Sequence, residues 1–452
     1  MRWVALFFLV IGAGCSRSPS QAIQAGLDMG TGTIRLPEGI TEINQELQLR
    51  PGAENVEISG TPGATLRAGR KFQGRAMLVI QDAKNVKVRG FQIDGNRTGI
   101  DRRANLPPSG TPFYQHFPAS GILFINCQNV EVSGVEFREI TGFAVLAAMT
   151  KKITVERVVV RASGSRKSDN TNNTTGGILF EEGTDDFTVR DSEFFKIGGN
   201  AIWTHSYHGS PRNQRGLITG NKFETIARDA IQVGHASKVR VENNSGRYIG
   251  YPFGEVDIAG QGIPVGIDTA GDVDASVYAD NHFSEINGKC FDLDGFHDGE
   301  VRGNTCVNQG GPEEYPNGNY MLVMNNTYPE MRSELITISG NTFDGGKYGG
   351  IFAIGKRHRI TGNKLRRMNT SRCNESGAAY QCLWSADEPA IMQAGIFLGA
   401  RAERIDPSEA ITVEGNEIRG HKMAERCVMT SKIVLASKNA IRHNTCISED
   451  PK

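Results

Sequence analysis

One asparagine recurs in a fixed setting along the C-terminal half of this chain. Asn221, Asn281, Asn304, Asn341, Asn363 and Asn416 each follow Gly or Asp and precede a short strand-like stretch. With Asn244 and Asn444 the successive spacings are 23, 37, 23, 37, 22, 53 and 28 residues, a base period near 22 interrupted by insertions. A repeat of that length means a solenoid, because each unit can bury its apolar face only against its neighbours.

Three stretches fill each period. An opening strand starts with a small residue and then an apolar one: Gly-Ile-Leu-Phe at 121–124 and 177–180, Ala-Ile-Trp-Thr at 201–204, Ala-Ile-Gln-Val at 230–233, Cys-Phe-Asp-Leu at 290–293, and Gly-Ile-Phe at 350–352 and 395–397. A second strand alternates apolar and polar residues with period two, as at Val86, Lys87 and Val88 or Val239, Arg240 and Val241, so that its polar side chains face water. The Asn then introduces a third strand. Three strands per turn describe a coil of parallel sheets with coils stacked ~4.8 Å apart. The Asn suits the bend, since its short amide tolerates the left-handed backbone region and can reach the equivalent Asn of the next coil. These residues are read as scaffold.

This pattern resembles the right-handed parallel β-helix of the pectate-lyase-like superfamily, which includes pectin and alginate lyases, polygalacturonases, C5-epimerases and phage tailspikes. The resemblance covers roughly residues 56–447, and the segment 32–39 looks like the family's entry strand and turn. It implies an all-β chain of about thirteen coils, one β-helix domain over 22–452 with an N-terminal cap at 22–49. Helix signals are confined to 21–27 and 388–393.

Met1 and Arg2, an apolar run over 3–11 and the small residues before Cys15 read as an export signal over 1–15, too short to span a bilayer. Cys15 then resembles a bacterial lipidation site, with Gly12 where the pattern usually has Leu, and 16–21 is a polar tether. This places the protein in the periplasm, at the cell surface or outside the cell, with a lipid as its only expected membrane contact. Seven further cysteines are expected to give disulfides Cys290–Cys306, Cys373–Cys382 and Cys427–Cys446 and to leave Cys127 buried and unpaired, in keeping with an oxidising compartment. With 50 basic and 50 acidic residues the net charge is zero, so no basic field points to nucleic acid.

Chemistry is expected where the opening strands break their own apolar rule. Their outward positions are apolar at both ends of the solenoid: Leu123 and Ile125, then Leu146 and Ala148, and later Phe352 and Ile354, then Phe397 and Gly399. Between them stand Leu179 and Glu181, Trp203 and His205, Gln232 and Gly234, Asp268 and Ala270, Asp292 and Asp294. Asp229 and Arg228 lie just before one strand, Lys289 begins another, and His235 and His297 follow theirs. The candidate catalytic residues are Asp292, Asp294, Asp268, Asp229, His205 and His297. Glu181, an exposed Trp203, Gln232, His235, Lys289 and Arg228 are candidates for substrate binding. Insertions at 98–119, 163–175, 206–216, 251–263, 311–318 and 370–394 can wall a groove, and Phe113, Tyr114, Phe117, Tyr207, Tyr251, Phe253 and Tyr315 could stack on sugars.

Clustered carboxylates suit glycoside hydrolysis, with one protonating the leaving oxygen and another activating water or attacking. Asp268, Asp292 and Asp294 could instead hold Ca²⁺ in a β-elimination, with His205, His297, Lys289 or Arg228 as base. Subfamily motifs do not decide, since Arg228 and Asp229 supply one Asp where a polygalacturonase has two, and His297 and Asp298 keep only half of an epimerase motif. Two functions remain. One is an exported enzyme cleaving a polysaccharide, with or without uronic acids, bound along the sheet, with hydrolysis preferred to elimination or epimerisation because Asp outnumbers Lys and Arg. The other is a non-catalytic glycan-binding or adhesive lipoprotein.

Overall fold

In the computed structural model, residues 18–449 are described except 101, 102, 104, 329 and 374–388. The expected signal, the lipidation site Cys15 and the disulfide partner Cys382 lie outside the described residues. Strands pair in parallel with the strands one coil earlier and one coil later, so that three ladders run the length of the molecule. The first ladder contains thirteen opening strands among the described residues. It begins in the C-terminal parts of Gly39–Gln48 and Ala64–Gln81, continues through Ser120–Ile125, Val145–Ala148, Ile178–Glu181, Ile202–His205, Ile231–Ser237, Val265–Asp274, Lys289–Asp294, Leu322–Asn325, Ile351–Ala353 and Ile396–Leu398, and ends at Val428–Thr430.

The opening strands alternate as expected. Ile122 and Phe124, Val145 and Ala147, Ile178 and Phe180, Ile231 and Val233, and Phe291 and Leu293 point inward and are fully buried. Register keeps like residues together: Ile178 pairs with Ile202, Ile202 with Ile231 and Ile231 with Ile267. The core is therefore a stack of apolar rungs, each burying its faces against the coils on either side.

The Asn ladder forms, with one correction. From Asn244 onward each Asn takes two hydrogen bonds on its side-chain oxygen from the preceding Asn, one from the backbone N–H and one from the side-chain amide, as from Asn281 to Asn304 at 3.0 and 2.9 Å. Its own amide also reaches back to a strand carbonyl, that of Tyr278 for Asn304, at 2.9 Å. The left-handed residue is not the Asn but the one before it: Gly303 at φ 65°, Gly340 at 63°, and Asn243 and Asp280 in the coils without Gly. Glycine is favoured there because it carries no Cβ penalty at positive φ, while the ladder Asn is selected for its amide.

At the N-terminal end the helix Pro19–Met29 starts at a Ser18 cap that accepts a hydrogen bond from the Gln21 N–H, and it lays Ile23 and Leu27 on the first coil. Disulfides Cys290–Cys306 and Cys427–Cys446 each close within one coil as expected, and Cys127 is free and buried. The described parts of the insertions at 98–119, 163–175, 206–216, 251–263, 311–318 and 370–394 adjoin opening strands, so they gather along the first ladder.

Candidate active site

The register sets the predicted outward row side by side. Leu179, Trp203, Gln232, Asp268, Asp292 and Val323 are successive partners on five consecutive strand pairs. A second row holds Glu181 beside His205 and Asp294 beside Asn325. Asp229 lies just before its strand, and its carboxylate accepts the Val265 N–H of the next coil at 3.0 Å and pairs with Arg228 at 3.4 Å. Asp229, Asp268 and Asp292 thus occupy three successive coils ~4.8 Å apart, with exposures of 0%, 8% and 9%.

Burial of three acids has electrostatic consequences. Burial, then the charges of Asp229 and Asp292, hold the Asp268 carboxyl well above the usual range. Burial also raises Asp229, against the opposing pull of Arg228. Asp294 is pushed up to about 6 by burial, although the Thr327 N–H at 3.0 Å and hydroxyl at 2.8 Å donate to it. Asp292 forms an ion pair with Lys289 through one carboxylate oxygen, while the other is buried with no hydrogen-bond partner in the protein. Burial opposes the charge on Lys289, but Asp292 and the nearby acids raise its pKa overall. Buried polar atoms are nearly always paired, so this Asp292 oxygen is placed to accept a hydrogen bond from water or a ligand.

Two residues of this site escape the sequence reading. The Asn200 amide donates to the Gln232 side-chain oxygen at 2.7 Å, and the Gln232 amide donates to Asp268 at 2.5 Å. Asn200 therefore orients Gln232, which orients Asp268. Asn200 directly precedes the opening strand one coil before Asp229, and that shared coil position was the signal available. Thr327 was visible only as a polar residue beyond a strand end.

The structure places other candidates elsewhere. Trp203 is buried, not exposed: Phe113 packs on it with ring centroids 5.0 Å apart, and Phe143 at 6.5 Å. Phe113 and Phe117 are buried too, so these rings build a plug and not a sugar platform. The turn Phe113–His116 is pinned by Glu181, whose carboxyl accepts the N–H groups of Phe113 at 3.0 Å and Tyr114 at 2.6 Å. Burial lifts Glu181 to about 8 against those bonds. His205 lies against Phe113 and Tyr207, and burial lowers it to about 4. His235 stands apart from the acids beside His208, ring centroids 5.3 Å apart, and is lowered by burial, then by Arg212. His297 is held by Asp272 at 2.8 Å and Asp298 at 2.7 Å, one on each ring nitrogen.

Among the described residues, the group whose potential metal-ligand atoms all lie within 4.8 Å of one another is Glu181, Glu182 and His205, not Asp268, Asp292 and Asp294. A cleft of about 970 Å³ is lined by Lys289, the ion-pair partner of Asp292, and by Val323 and Asn325, the strand partners of Asp292 and Asp294, while the four aspartates themselves are not among its lining residues. The insertions wall it with Ile258, Ile263, Asn317 and Met392, and the turn before Ile351–Ala353 adds Tyr348. A smaller cleft of about 490 Å³ on the third ladder, by Phe195 and Arg247, lies away from this chemistry.

Residues 115–246 match the family described as right handed beta helix region. The chain is a right-handed parallel β-helix protein. Among solved structures this β-helix is similar to the Dettilon tailspike protein, with TM-score 0.51, 12% identity and coverage of 93% of this chain and 66% of that one. It is also similar to the DFA-IIIase of Arthrobacter chlorophenolicus in complex with GF2, with TM-score 0.50, 14% identity and coverage of 94% and 92%. A further similarity is to the GH136 lacto-N-biosidase of Eubacterium ramulus, with TM-score 0.48, 12% identity and coverage of 85% and 60%. The chain thus spans less than two thirds of the tailspike and of the lacto-N-biosidase. No curated protein matches the sequence.

Proposed function

We propose that the protein is an exported, polysaccharide-active enzyme that hydrolyses glycosidic bonds at Asp268, Asp292 and Asp294. One observation carries this reading: carboxyls buried on successive coils, with Asp268 raised well above the usual carboxyl range, first by burial, beside an Asp292 that is ion-paired to Lys289. Glycoside hydrolysis needs one carboxyl to protonate the leaving oxygen and a second, ionised one to attack or to activate water. Asp268 takes the first role and Asp292 the second. Asp294 stands beside them as a carboxyl pushed up to about 6 by burial. Asp229, fully buried, adds to the effect of burial in raising Asp268, and Gln232 and Asn200 orient it. The DFA-IIIase likeness supports the fold at this identity, and the chemistry is argued from the site.

Hydrolysis is favoured over elimination or epimerisation by the condition of the candidate bases. Lys289 and Arg228 are engaged with Asp292 and Asp229, His205 lies beneath Phe113, and both nitrogens of His297 are taken by carboxylates. The two disulfides are compatible with export.

The test is incubation of the mature protein with polygalacturonate, alginate, xylan and inulin, with and without a chelator, scoring reducing ends and the ultraviolet absorbance of unsaturated products. New reducing ends without absorbance, unaffected by chelation and lost in Asp292→Asn, are expected. Absorbance would establish a lyase instead. Binding without turnover would establish the glycan-binding alternative.

A further inference from the structure

Resting on that hydrolase reading, we propose that the site admits the end of a glycan and not a chain running along the sheet, so that the enzyme removes terminal units or acts on short oligosaccharides. A polymer bound along a parallel β-helix needs an open trough over several coils on both sides of the acids. Here the outward row is covered on both sides.

On the N-terminal side Val79, Leu123, Leu146, Leu179 and Trp203 form one apolar cluster with Phe113, Phe117 and Phe143, and every member is at most 7% exposed. The covering segment is fixed at several points. Glu181 accepts two of its N–H groups, and the Tyr207 hydroxyl donates to the Thr111 carbonyl at 2.7 Å. Opening the trough would expose the whole cluster to water, which the hydrophobic effect opposes. On the C-terminal side the outward residues Phe352 and Phe397 are 1% and 0% exposed and stack with centroids 6.1 Å apart. The Tyr320 hydroxyl, bonded to the Ile391 carbonyl, fastens the insertion next to them.

Between the two plugs lies the cleft of about 970 Å³ over Val323 and Asn325, the strand partners of Asp292 and Asp294. That volume is at the upper end for sites that enclose a small ligand. Its lining comes from three of the insertions and from the segments that carry Lys347, Tyr348, Ala402 and Glu403.

The experiment follows the products of the full mature chain on the same four polymers and on their reducing-end-labelled oligosaccharides, with solution viscosity recorded in parallel. One short product from the earliest time, with viscosity falling slowly relative to reducing ends, is the expected result. An early viscosity drop with a ladder of intermediate lengths would overturn the proposal while leaving hydrolysis intact. No reducing ends from any polymer or oligosaccharide would overturn the hydrolase reading itself, and this proposal with it. Phe113→Ala combined with Phe117→Ala loosens the N-terminal plug and is expected to add longer products to the wild-type profile. An unchanged profile in a folded variant would count against the plug as the limit on chain passage.

Discussion

Asp268 and Asp294 are the same side chain in two settings, and the difference makes testable chemistry. Asp268 shares its burial with two other acids, whereas Asp294 stands at the strand end with Thr327 donating to it, and its carboxyl sits at about 6. Because that pKa is raised, Asp294 is protonated below about pH 6 and ionised above it. If the protonated form is needed, kcat/KM falls as pH rises through about 6. Asp294→Asn should flatten that limb of the profile, and a limb that persists in the variant would assign it to another group. Asp268→Asn, which keeps shape but removes the proton donor, should lower kcat/KM by roughly 10²–10⁴ with folding unchanged by circular dichroism. The outward row that holds these acids was legible in the sequence because strand geometry alternates strictly, so a buried Ile at one position fixes which neighbours point out. Asn200 carried only the coil position it shares with Asp229, and its part, played through Gln232 across coils, is not recorded by that position alone.

At the scale of elements, the turn Phe113–His116 closes down on the first ladder through Glu181. Insertions have no period, so their destination depends on tertiary packing that sequence spacing does not carry. Trp203 was accordingly read as exposed when Phe113 covers it. The Glu181 clamp has a pH signature of definite sign. Its folded pKa of about 8 lies above the ordinary 4.5, so the folded state holds a proton that the unfolded chain releases. Its stability contribution is complete below about pH 4.5 and is lost as pH rises through 8. Glu181→Gln mimics the protonated group. The wild type should therefore lose thermal stability between pH 5 and 8 by more than the variant does, and parallel curves would show that Glu181 is ionised in the fold. The Asn ladder makes a similar element-scale demand. Asn304→Ala removes the acceptor of the Asn281 N–H, one of the two acceptors of the Asn281 amide, which keeps the Val241 carbonyl, and the bond to the Tyr278 carbonyl, a loss of about 3 kcal/mol. Asn444→Ala, at a half-exposed rung, should cost less in the same chemical denaturation series.

At the scale of the whole molecule, a solenoid's stability is a sum of nearest-neighbour interfaces, and its ends are the weak points. The two ends differ here. The N-terminal coil lies under the helix Pro19–Met29, which buries Ile23 and Leu27. The coil carrying Val428–Thr430 and Ala440–Arg442 packs against a preceding coil only, among the described residues, and leaves Ile433 67%, Leu435 60% and Ile441 39% exposed. What holds it is the disulfide Cys427–Cys446, which closes a loop with a sequence separation of 19 residues and contributes about 3 kcal/mol on chain-entropy grounds. Fraying should therefore begin at this coil, and hydrogen exchange should be faster over 428–448 than over 289–294. Cys427→Ser combined with Cys446→Ser should speed exchange in the last coil by about a hundredfold, since each 1.4 kcal/mol is a factor of ten. The active-site coils, several interfaces away, should keep their protection and their activity. If protection instead falls together along the whole ladder, the molecule unfolds as one cooperative block, and the last coil is bound to the site more tightly than nearest-neighbour packing allows.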